Sequence, residues 1–193
     1  MLKGKAALVT GSTSGIGLGI ARRLAAAGAD IALNGFGDAA QIERLRDGIA
    51  REFEVRAVFA PADIGKAGEA AGMVASAEKQ LGRLDILVNN AGIQFVSPVE
   101  NFPVDQWNAV IAINLSGAFY AIRAALPGMQ ARGYGRIINI SSVLGKIGVA
   151  GYAAYCATKH GMIGFTRALA LEVVDRGITV NTSYTRSYAD ARR

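Results

Sequence analysis

Short apolar runs alternate with longer amphipathic stretches along most of the chain, and this alternation predicts a fold. The short runs, at residues 6–10, 31–33, 56–60, 85–88, 136–140 and 178–181, are typical of strands buried on both faces. The helical pattern covers residues 15–27, 39–53, 67–81, 103–132, which a single break could divide, and 151–174. Strands alternating with helices predict a three-layer α/β fold of the Rossmann type, with a doubly wound parallel sheet.

Composition and charge exclude several other classes. The formal charge of +6 would suit nucleic acid or a membrane surface, but the Lys and Arg residues are scattered without a run, which favours a solvated surface. Uncharged apolar runs of about 18 residues are not seen, so we expect no membrane-spanning helix. The single cysteine, Cys156, excludes an intrachain disulfide and agrees with a cytoplasmic protein. Because the chain has a single histidine, His160, we expect neither a serine-hydrolase triad nor a multi-histidine metal site, and we expect no metal.

A glycine-rich segment leads from the first predicted strand into the first helix. It reads Thr10-Gly11-Ser12-Thr13-Ser14-Gly15-Ile16-Gly17. Glycines let the main chain approach a pyrophosphate closely, and the helix N-terminus supplies free N–H groups and a partial positive charge. In this strand–turn–helix context, we predict a dinucleotide site rather than a tight turn alone. The residues expected to contact the cofactor are Gly11, Thr13, Ser14, Gly15, Ile16 and Gly17.

The glycine spacing and three later motifs resemble those of the short-chain dehydrogenase/reductase family. The later motifs are Asp63-Ile64, Asn89-Asn90-Ala91-Gly92, and the residues Ser142, Tyr155 and Lys159 in a Ser-x12-Tyr-x3-Lys pattern. The resemblance covers residues 3 to about 181 and implies an oxidoreductase with a nicotinamide cofactor and a small-molecule substrate. It also implies that Asp63 and Ile64 contact the adenine, and that Asn90, Ala91 and Gly92 lie beneath the cofactor.

Tyr155 and Lys159 are four residues apart, so they share one helix face. The resemblance implies that Tyr155 takes the substrate's hydroxyl proton as hydride leaves the carbon. A phenol normally titrates near pH 10, and we expect the Lys159 ammonium and the nicotinamide ring to lower this pKa. Lys159 would also hold the nicotinamide ribose, Ser142 would orient the substrate oxygen, and Asn114 would hold a water that links the lysine to solvent. Ser141 is the neighbouring alternative to Ser142, which the spacing to Tyr155 favours.

The segment that follows the second strand bears on the choice between NAD and NADP. An acid there favours NAD, and a nearby arginine accommodates the 2′-phosphate of NADP. The segment Leu33-Asn34-Gly35-Phe36-Gly37 has neither in the two key positions, and no arginine lies beside the glycine turn. We expect NAD, with NADP less favoured. Phe36 either packs near the adenosine or is an ordinary half-buried loop aromatic.

Further segments resemble the bacterial 3-hydroxybutyrate dehydrogenases within that family. They include residues 34–37, 89–94, 102–109, 125–129 and 136–140. In those enzymes a glutamine, a histidine and a lysine grip the substrate carboxylate. Gln94 matches the glutamine, but Leu144 and Tyr152 stand at the other two positions, with Lys146 nearby and out of register. Each missing charge-assisted hydrogen bond is worth about 1.5–3 kcal/mol. A 3-oxoacyl thioester, a sugar acid or a plain secondary alcohol therefore stays open beside 3-hydroxybutyrate.

The sequence after Asn181 departs from the family's pattern. The family has a Pro-Gly turn, a mobile substrate lid and a last strand, whereas residues 182–193 are polar and lack proline and glycine. We predict one domain over residues 1–181, a disordered tail over 182–193, and a missing lid and last strand. The rival function is therefore a catalytically inactive NAD-binding module. The two long helices through which the family usually assembles are present, and they predict a homodimer.

Overall fold

A computed structural model of the chain describes residues 1–185. One parallel sheet of six strands has the order β3-β2-β1-β4-β5-β6. The strands are β1 (Ala6–Val9), β2 (Asp30–Leu33), β3 (Ala57–Phe59), β4 (Ile86–Asn89), β5 (Gly135–Ser142) and β6 (Ile178–Thr185). The helices are α1 (Gly15–Ala26), α2 (Ala39–Phe53), α3 (Ala67–Leu81), α4 (Val104–Ile111), α5 (Gly117–Ala131) and α6 (Ala153–Glu172).

The core has two parts, one on each face of the sheet. Successive residues of β1 point to opposite faces, so Leu8 packs with side chains of α3, α5 and α6, while Val9 packs with those of α1 and α2. Both faces are covered, and this explains why the strands are apolar runs without polar alternation. The three-layer, doubly wound architecture predicted from the sequence is confirmed.

The strand order places a binding crevice at one edge of the sheet. β1 pairs with β2 on one side and with β4 on the other, so the chain reverses its direction of winding between β1 and β4. In open α/β sheets, ligands bind outside the carboxyl ends of the strands at such a switch point. The glycine turn after β1 and the motif after β4 meet there.

The predicted end of the domain at residue 181 is wrong by at least four residues. β6 runs to Thr185 and pairs with β5 in register up to the pair Ser142 and Thr185. Residues 182–185, predicted to be disordered, are thus part of the sheet. The reason is that β5 extends to Ser142 and offers hydrogen-bond partners along this whole segment. The threonine and tyrosine residues of the segment also favour an extended main chain. The predictions for residues 186–193, and for a missing lid and last strand, lie outside the described residues.

α4, a π-helical turn at Ala112–Ser116 and α5 form one continuous stretch of 28 residues, Val104–Ala131. Its most apolar window has a mean hydropathy of 1.6, so by length and composition this helix could cross a membrane, contrary to the expectation from sequence. Core helices of globular domains have the same property. In this stretch Val110, Ala121, Ala125 and Met129 are fully buried, and α5 packs against α3 and the sheet. Core packing therefore accounts for the buried side chains of this stretch, which make up 39% of its most apolar window.

Candidate functional site

A cavity of about 490 Å³ lies at the carboxyl ends of the strands. The predicted residues that line it are Gly11, Thr13, Ser14, Ile16, Gly17, Phe36, Asp63, Ile64, Asn90, Ala91, Gly92, Gln94, Tyr155 and Lys159. The structure thus brings the glycine turn, the two later motifs and the Tyr–Lys pair to one cavity. Three predicted residues, Gly15, Ser142 and Asn114, do not line it and adjoin it in ways described below.

Eight further residues line the cavity, and none of them except Ser141, the alternative to Ser142, was predicted to contact cofactor or substrate. They are Asn34, Gly35, Ala62, Ile93, Ile113, Ile140, Ser141 and Thr185. Asn34 and Gly35 follow β2 at the same sheet edge, so their position was a usable signal. Thr185 enters only because β6 continues past residue 181, and no sequence motif marks it.

Two glycines of the turn are required by close packing. A Cβ added at Gly11 would lie 2.9 Å from the Ala91 Cα atom, and Gly11 has a φ of +61°. A Cβ added at Gly17 would overlap the Gly11 carbonyl oxygen and the Asn90 side chain. Gly15 has a φ of +55°, and a Cβ there would meet only open space. The turn and the end of β4 are therefore packed together with no room for side chains.

The N-terminus of α1 is available to an anion. Ser14 occupies the N-cap position in an extended conformation, but its side chain makes no capping hydrogen bond. The first turn of α1 contains no acidic residue. The free N–H groups and the partial positive charge of this helix end can therefore hold a phosphate group.

Thr10 joins the glycine turn to the segment that follows β4. Its hydroxyl oxygen accepts hydrogen bonds from the main-chain N–H groups of Asn90 and Ala91, each at 3.0 Å. In return, the Asn90 side-chain amide donates to the carbonyl oxygens of Thr10 at 2.9 Å and Gly11 at 3.2 Å. These bonds fix the cavity floor between β1 and β4.

The predicted adenosine end of the cavity is formed by Phe36, Asp63 and Ile64. Phe36 is 74% exposed, so the alternative of a half-buried loop aromatic is wrong, and its ring borders the cavity. Its carbonyl oxygen accepts a hydrogen bond of 2.9 Å from the Thr13 hydroxyl. Ile64 is buried, and the Asp63 carboxylate accepts a hydrogen bond from the Gly65 N–H at 3.0 Å.

The Tyr155 and Lys159 side chains, both on α6, line the cavity, and Lys159 lies beside the end of β5. The Lys159 side chain is almost completely buried, and its Nζ atom lies 5.5 Å from the centre of the Tyr155 ring. The same Nζ atom donates a hydrogen bond of 2.8 Å to the Ile140 carbonyl oxygen at the end of β5. The predicted sharing of one helix face is therefore observed.

Burial acts on both titrating groups in the direction of their neutral forms. Burial raises the pKa of Tyr155, and a hydrogen bond with Ser142 acts in the opposite sense. Burial also lowers the pKa of Lys159 to about 8. The expectation that Lys159 lowers the pKa of the phenol is not met by the protein's own residues, because the ammonium is directed at the Ile140 carbonyl oxygen and the desolvation of the phenol dominates.

Adjacent serines of β5 have different partners. The Ser141 hydroxyl donates to the main-chain carbonyl oxygen of Lys159 at 3.2 Å, so it anchors α6 to the sheet. The Ser142 hydroxyl accepts from the Leu144 N–H at 3.2 Å, and the same side chain acts on the Tyr155 phenol so as to lower its pKa. Ser142 is therefore the serine beside the phenol, as the spacing predicts.

Asn114 lies in the π-helical turn between α4 and α5, beneath the cavity. Its side-chain amide pairs with the main chain of Ile93, accepting from the N–H and donating to the carbonyl oxygen, each at 2.8 Å. A Cβ added at Gly92 would lie 3.3 Å from the Asn114 Oδ1 atom and 3.8 Å from the Lys159 Nζ atom. Asn114 and Lys159 are therefore near neighbours across Gly92, and the π turn positions the amide, as such turns often do at functional sites.

The substrate end has one of the three expected carboxylate-binding groups. Gln94 is exposed and borders the cavity. The exposed Lys146 does not line the cavity; its Nζ atom lies 4.1 Å from the centre of the Tyr184 ring on β6, and Tyr184 pairs across the sheet with Ser141, next to Ser142. Among residues 1–185, no cluster of three or more His, Cys, Asp or Glu side chains is arranged to hold a metal ion.

Comparisons with known proteins identify the family to which this chain belongs. The family model for short chain dehydrogenases matches residues 5–187, so the chain belongs to that family and is an oxidoreductase of the class that uses a nicotinamide cofactor. The match extends beyond the predicted domain boundary at residue 181.

Two curated relatives are D-beta-hydroxybutyrate dehydrogenases. The protein from Rhizobium meliloti (strain 1021) is 51% identical over 178 residues, which cover 92% of this chain and 69% of the relative. The protein from Cupriavidus necator is 52% identical over 185 residues, with 94% and 69% covered. The crystal structure of a metagenomic short-chain oxidoreductase in complex with NADP matches with a TM-score of 0.90 at 34% identity, covering 97% of this chain and 85% of that one.

Proposed function

We propose that this chain binds NAD in the 490 Å³ cavity and transfers a hydride between the cofactor and a small secondary alcohol, with 3-hydroxybutyrate and acetoacetate as the substrate pair. The observation that supports this proposal best is a cavity lined both by the glycine turn that ends at α1 and by the Tyr155–Lys159 pair. The names of the curated relatives support the choice of substrate.

The residues of the cavity fit a dinucleotide. Gly11 and Gly17 leave a turn without side chains, and the uncapped N-terminus of α1 adjoins it, so this end suits the pyrophosphate. Phe36, Asp63 and Ile64 would border the adenosine. NAD is preferred over NADP because no arginine follows β2 and none lies in the turn itself.

When bound, the oxidised nicotinamide supplies the hydride acceptor and a positive charge beside the phenol. Ser142 donates a hydrogen bond to the substrate oxygen, and Tyr155 in its phenolate form accepts the proton from the substrate hydroxyl. Lys159, with a pKa of about 8, is mostly protonated at pH 7. Its ammonium is held by the Ile140 carbonyl oxygen and does not lower the pKa of the neutral phenol, but it would attract the negative charge that forms on Tyr155 once the positive nicotinamide ring is bound. Asn114, adjacent to Lys159, would hold the water through which the proton leaves toward solvent.

The substrate's carboxylate would meet Gln94 and, at the rim, Lys146. Lys146 is out of register with the family's lysine, but it packs on Tyr184, whose strand partner Ser141 adjoins Ser142, and this supports a role for its positive charge near the substrate. A single nearby cation explains how a small hydroxy acid could bind although Leu144 and Tyr152 occupy the other two positions.

Replacing Tyr155 by Phe tests the proposal. Tyr155→Phe removes the proton acceptor without touching the glycine turn, so NAD affinity should stay within about twofold while hydride transfer falls by about 10²-fold or more. Binding is measured by isothermal titration, and turnover by the absorbance of the reduced cofactor. The panel contains 3-hydroxybutyrate, a 3-hydroxyacyl thioester and plain secondary alcohols, each with NAD and with NADP.

The outcomes separate the competing functions. Turnover of 3-hydroxybutyrate by the wild-type protein and its loss in the variant would support the proposal, and equal activity in the variant would refute the role of Tyr155. Turnover of only the thioester or only the plain alcohols would show that 3-hydroxybutyrate is not the substrate and would put that compound in its place. NAD binding without turnover of any substrate would identify an inactive NAD-binding module.

We further propose that two copies associate through α5 and α6. An open apolar groove between these helices is lined by Leu115, Ser116, Phe119, Tyr120, Gly161 and Phe165. The rings of Phe119 and Phe165 pack edge to face with centres 6.2 Å apart, and Phe119 is 45% exposed. The family's use of its two long helices favours a second copy as the occupant of this groove.

A further inference from the structure

Asn34, the first residue after β2, borders the proposed cofactor cavity but is only 2% exposed. This position is where many dinucleotide-binding folds place the acid that hydrogen-bonds the ribose 2′-hydroxyl. A short polar side chain at this point would be expected to face the ribose. Its burial indicates a different use.

The side-chain amide of Asn34 is bonded to the protein at both of its polar atoms. The Oδ1 atom accepts a hydrogen bond from the Gly11 N–H at 3.3 Å. The Nδ2 atom donates to the carbonyl oxygens of Ala60 at 3.1 Å and Ala62 at 3.2 Å. Both amide hydrogens are therefore used, and one side chain joins the glycine turn to the segment that follows β3.

The main chain of Asn34 is attached to the same turn. Its N–H donates to the Ser12 hydroxyl at 3.0 Å, and its carbonyl oxygen accepts from the Ser12 N–H at 2.6 Å. The next residues are held as closely, because the Thr13 hydroxyl donates to the Phe36 carbonyl oxygen and a Cβ added at Gly35 would lie 2.5 Å from the Thr13 Oγ1 atom. Gly35 has a φ of +152°, which side chains disfavour.

We infer that Asn34 is a positioning residue for the cofactor site, and that the 2′ position of the adenosine ribose is recognised by the main chain of Gly35 and Phe36 rather than by a side chain. This inference rests on the proposed binding of NAD. Asn34 orders the turn, β2 and the chain after β3 relative to one another, and the uncharged residues Gly35 and Phe36 line the cavity.

The chemistry of the site explains why the residue is an amide. An aspartate at this position could still accept from the Gly11 N–H, but its second oxygen would face the two carbonyl oxygens of Ala60 and Ala62 and repel them. An acid here would therefore weaken the packing of the whole cavity and lower the affinity for either dinucleotide. Selectivity between NAD and NADP then depends on the space that the Gly35–Phe36 main chain leaves at the ribose.

Asn34→Asp is the first test, with Asn108→Asp on the exposed surface of α4 as the control of equal charge. We expect the Asn34→Asp protein to bind NAD and NADP about tenfold more weakly, by the same factor for both. If the protein is catalytically active, the KM values for both cofactors should rise in this variant, while kcat should change less than about twofold. Asn34→Ser, which adds no charge, should weaken both cofactors equally as well, and it replaces the acid if that variant does not fold.

Gly35→Ala is the complementary test, because its Cβ would push the loop away from Thr13. We expect the ratio of the NADP and NAD dissociation constants to change by about threefold or more in this variant. The inference is overturned if Asn34→Asp changes that ratio by about tenfold against NADP, as a ribose-binding acid would, or if Gly35→Ala leaves the ratio unchanged. A wild-type protein that binds neither dinucleotide would instead refute the proposed function.

Discussion

At the residue scale, Lys159 carries a buried charge that lowers the stability of the fold and that the proposed chemistry uses. Its ammonium is almost fully buried and makes one hydrogen bond, to the Ile140 carbonyl oxygen. Burial lowers its pKa from 10.5 to about 8, so the folded protein carries this charge at a cost at pH 7. By linkage that cost is about 3 kcal/mol at pH 7, which is large beside the total stability of a domain.

We expect Lys159→Met to be more stable than the wild-type protein at pH 7, by about 2 kcal/mol, while losing hydride transfer. Between pH 8 and 10.5 the unfolded wild-type chain binds more protons than the folded one, so wild-type stability rises with pH through this lysine. The advantage of the variant should therefore shrink by about 2 kcal/mol between pH 7 and pH 9.5. Urea unfolding at both pH values measures it.

The control for this prediction is Lys79→Met on the exposed face of α3, whose effect should not depend on pH. Equal stability of the wild-type and Lys159→Met proteins at pH 7 would contradict the argument, as would an advantage that grows with pH.

At the level of elements, a buried polar chain links β4, β5 and α6 below the site. The Asn89 side chain donates to the Asn139 side chain at 2.8 Å, and Asn139 donates to the Thr166 hydroxyl at 2.9 Å. Thr166 in turn donates to the Met162 carbonyl oxygen at 2.8 Å, one turn earlier in α6. Since α6 carries Tyr155 and Lys159, this series of hydrogen bonds fixes the position of α6 relative to the sheet.

Asn139→Leu should destabilise the protein by about 2 kcal/mol, because it leaves the buried Asn89 amide without its partner and removes a bond to α6. Asn181→Leu makes the same substitution at an exposed position on β6 and should change the stability by less than about 0.5 kcal/mol. Denaturant unfolding compares the two variants with the wild-type protein. Similar effects at both positions would show that the buried chain contributes nothing special.

For the whole molecule, the apolar groove between α5 and α6 is a feature of residues 1–185 that the fold of one chain does not account for. The α4–α5 stretch buries one face against α3 and the sheet, yet its other face places Phe119 at the surface. An exposed aromatic residue in an apolar groove is typical of a surface that another protein covers. The proposed dimer would cover it.

Phe119→Glu should shift the protein from dimer to monomer, because a carboxylate would be buried in the interface without a partner. Sedimentation velocity at micromolar concentration measures the change. Val99→Glu, at an equally apolar exposed position outside both helices, should leave the dimer intact. A wild-type protein that sediments as a monomer would refute the proposed assembly, and a dimer that survives in Phe119→Glu would place the interface elsewhere.

The sequence by itself determined the elements, their order and the chemistry-bearing motifs. Apolar runs such as Ile86-Leu87-Val88 specify buried parallel strands because both faces of each strand must be covered. Gly11 and Gly17 indicate that the turn packs closely against the main chain after β4, because no larger residue fits at either position. The i, i+4 spacing of Tyr155 and Lys159 places both on one helix face whatever the rest of the fold does.

Only the tertiary structure decided which groups are engaged elsewhere and which are available. Three such outcomes depend on partners distant in sequence. Asn34 points into the protein, and Thr185 reaches the cavity. Ser141 anchors α6, while Ser142 faces the phenol. The same holds for the pKa of Tyr155, since desolvation depends on every chain segment packed around the phenol. Local patterns specify elements, whereas burial and hydrogen-bond partners are properties of the whole packed chain.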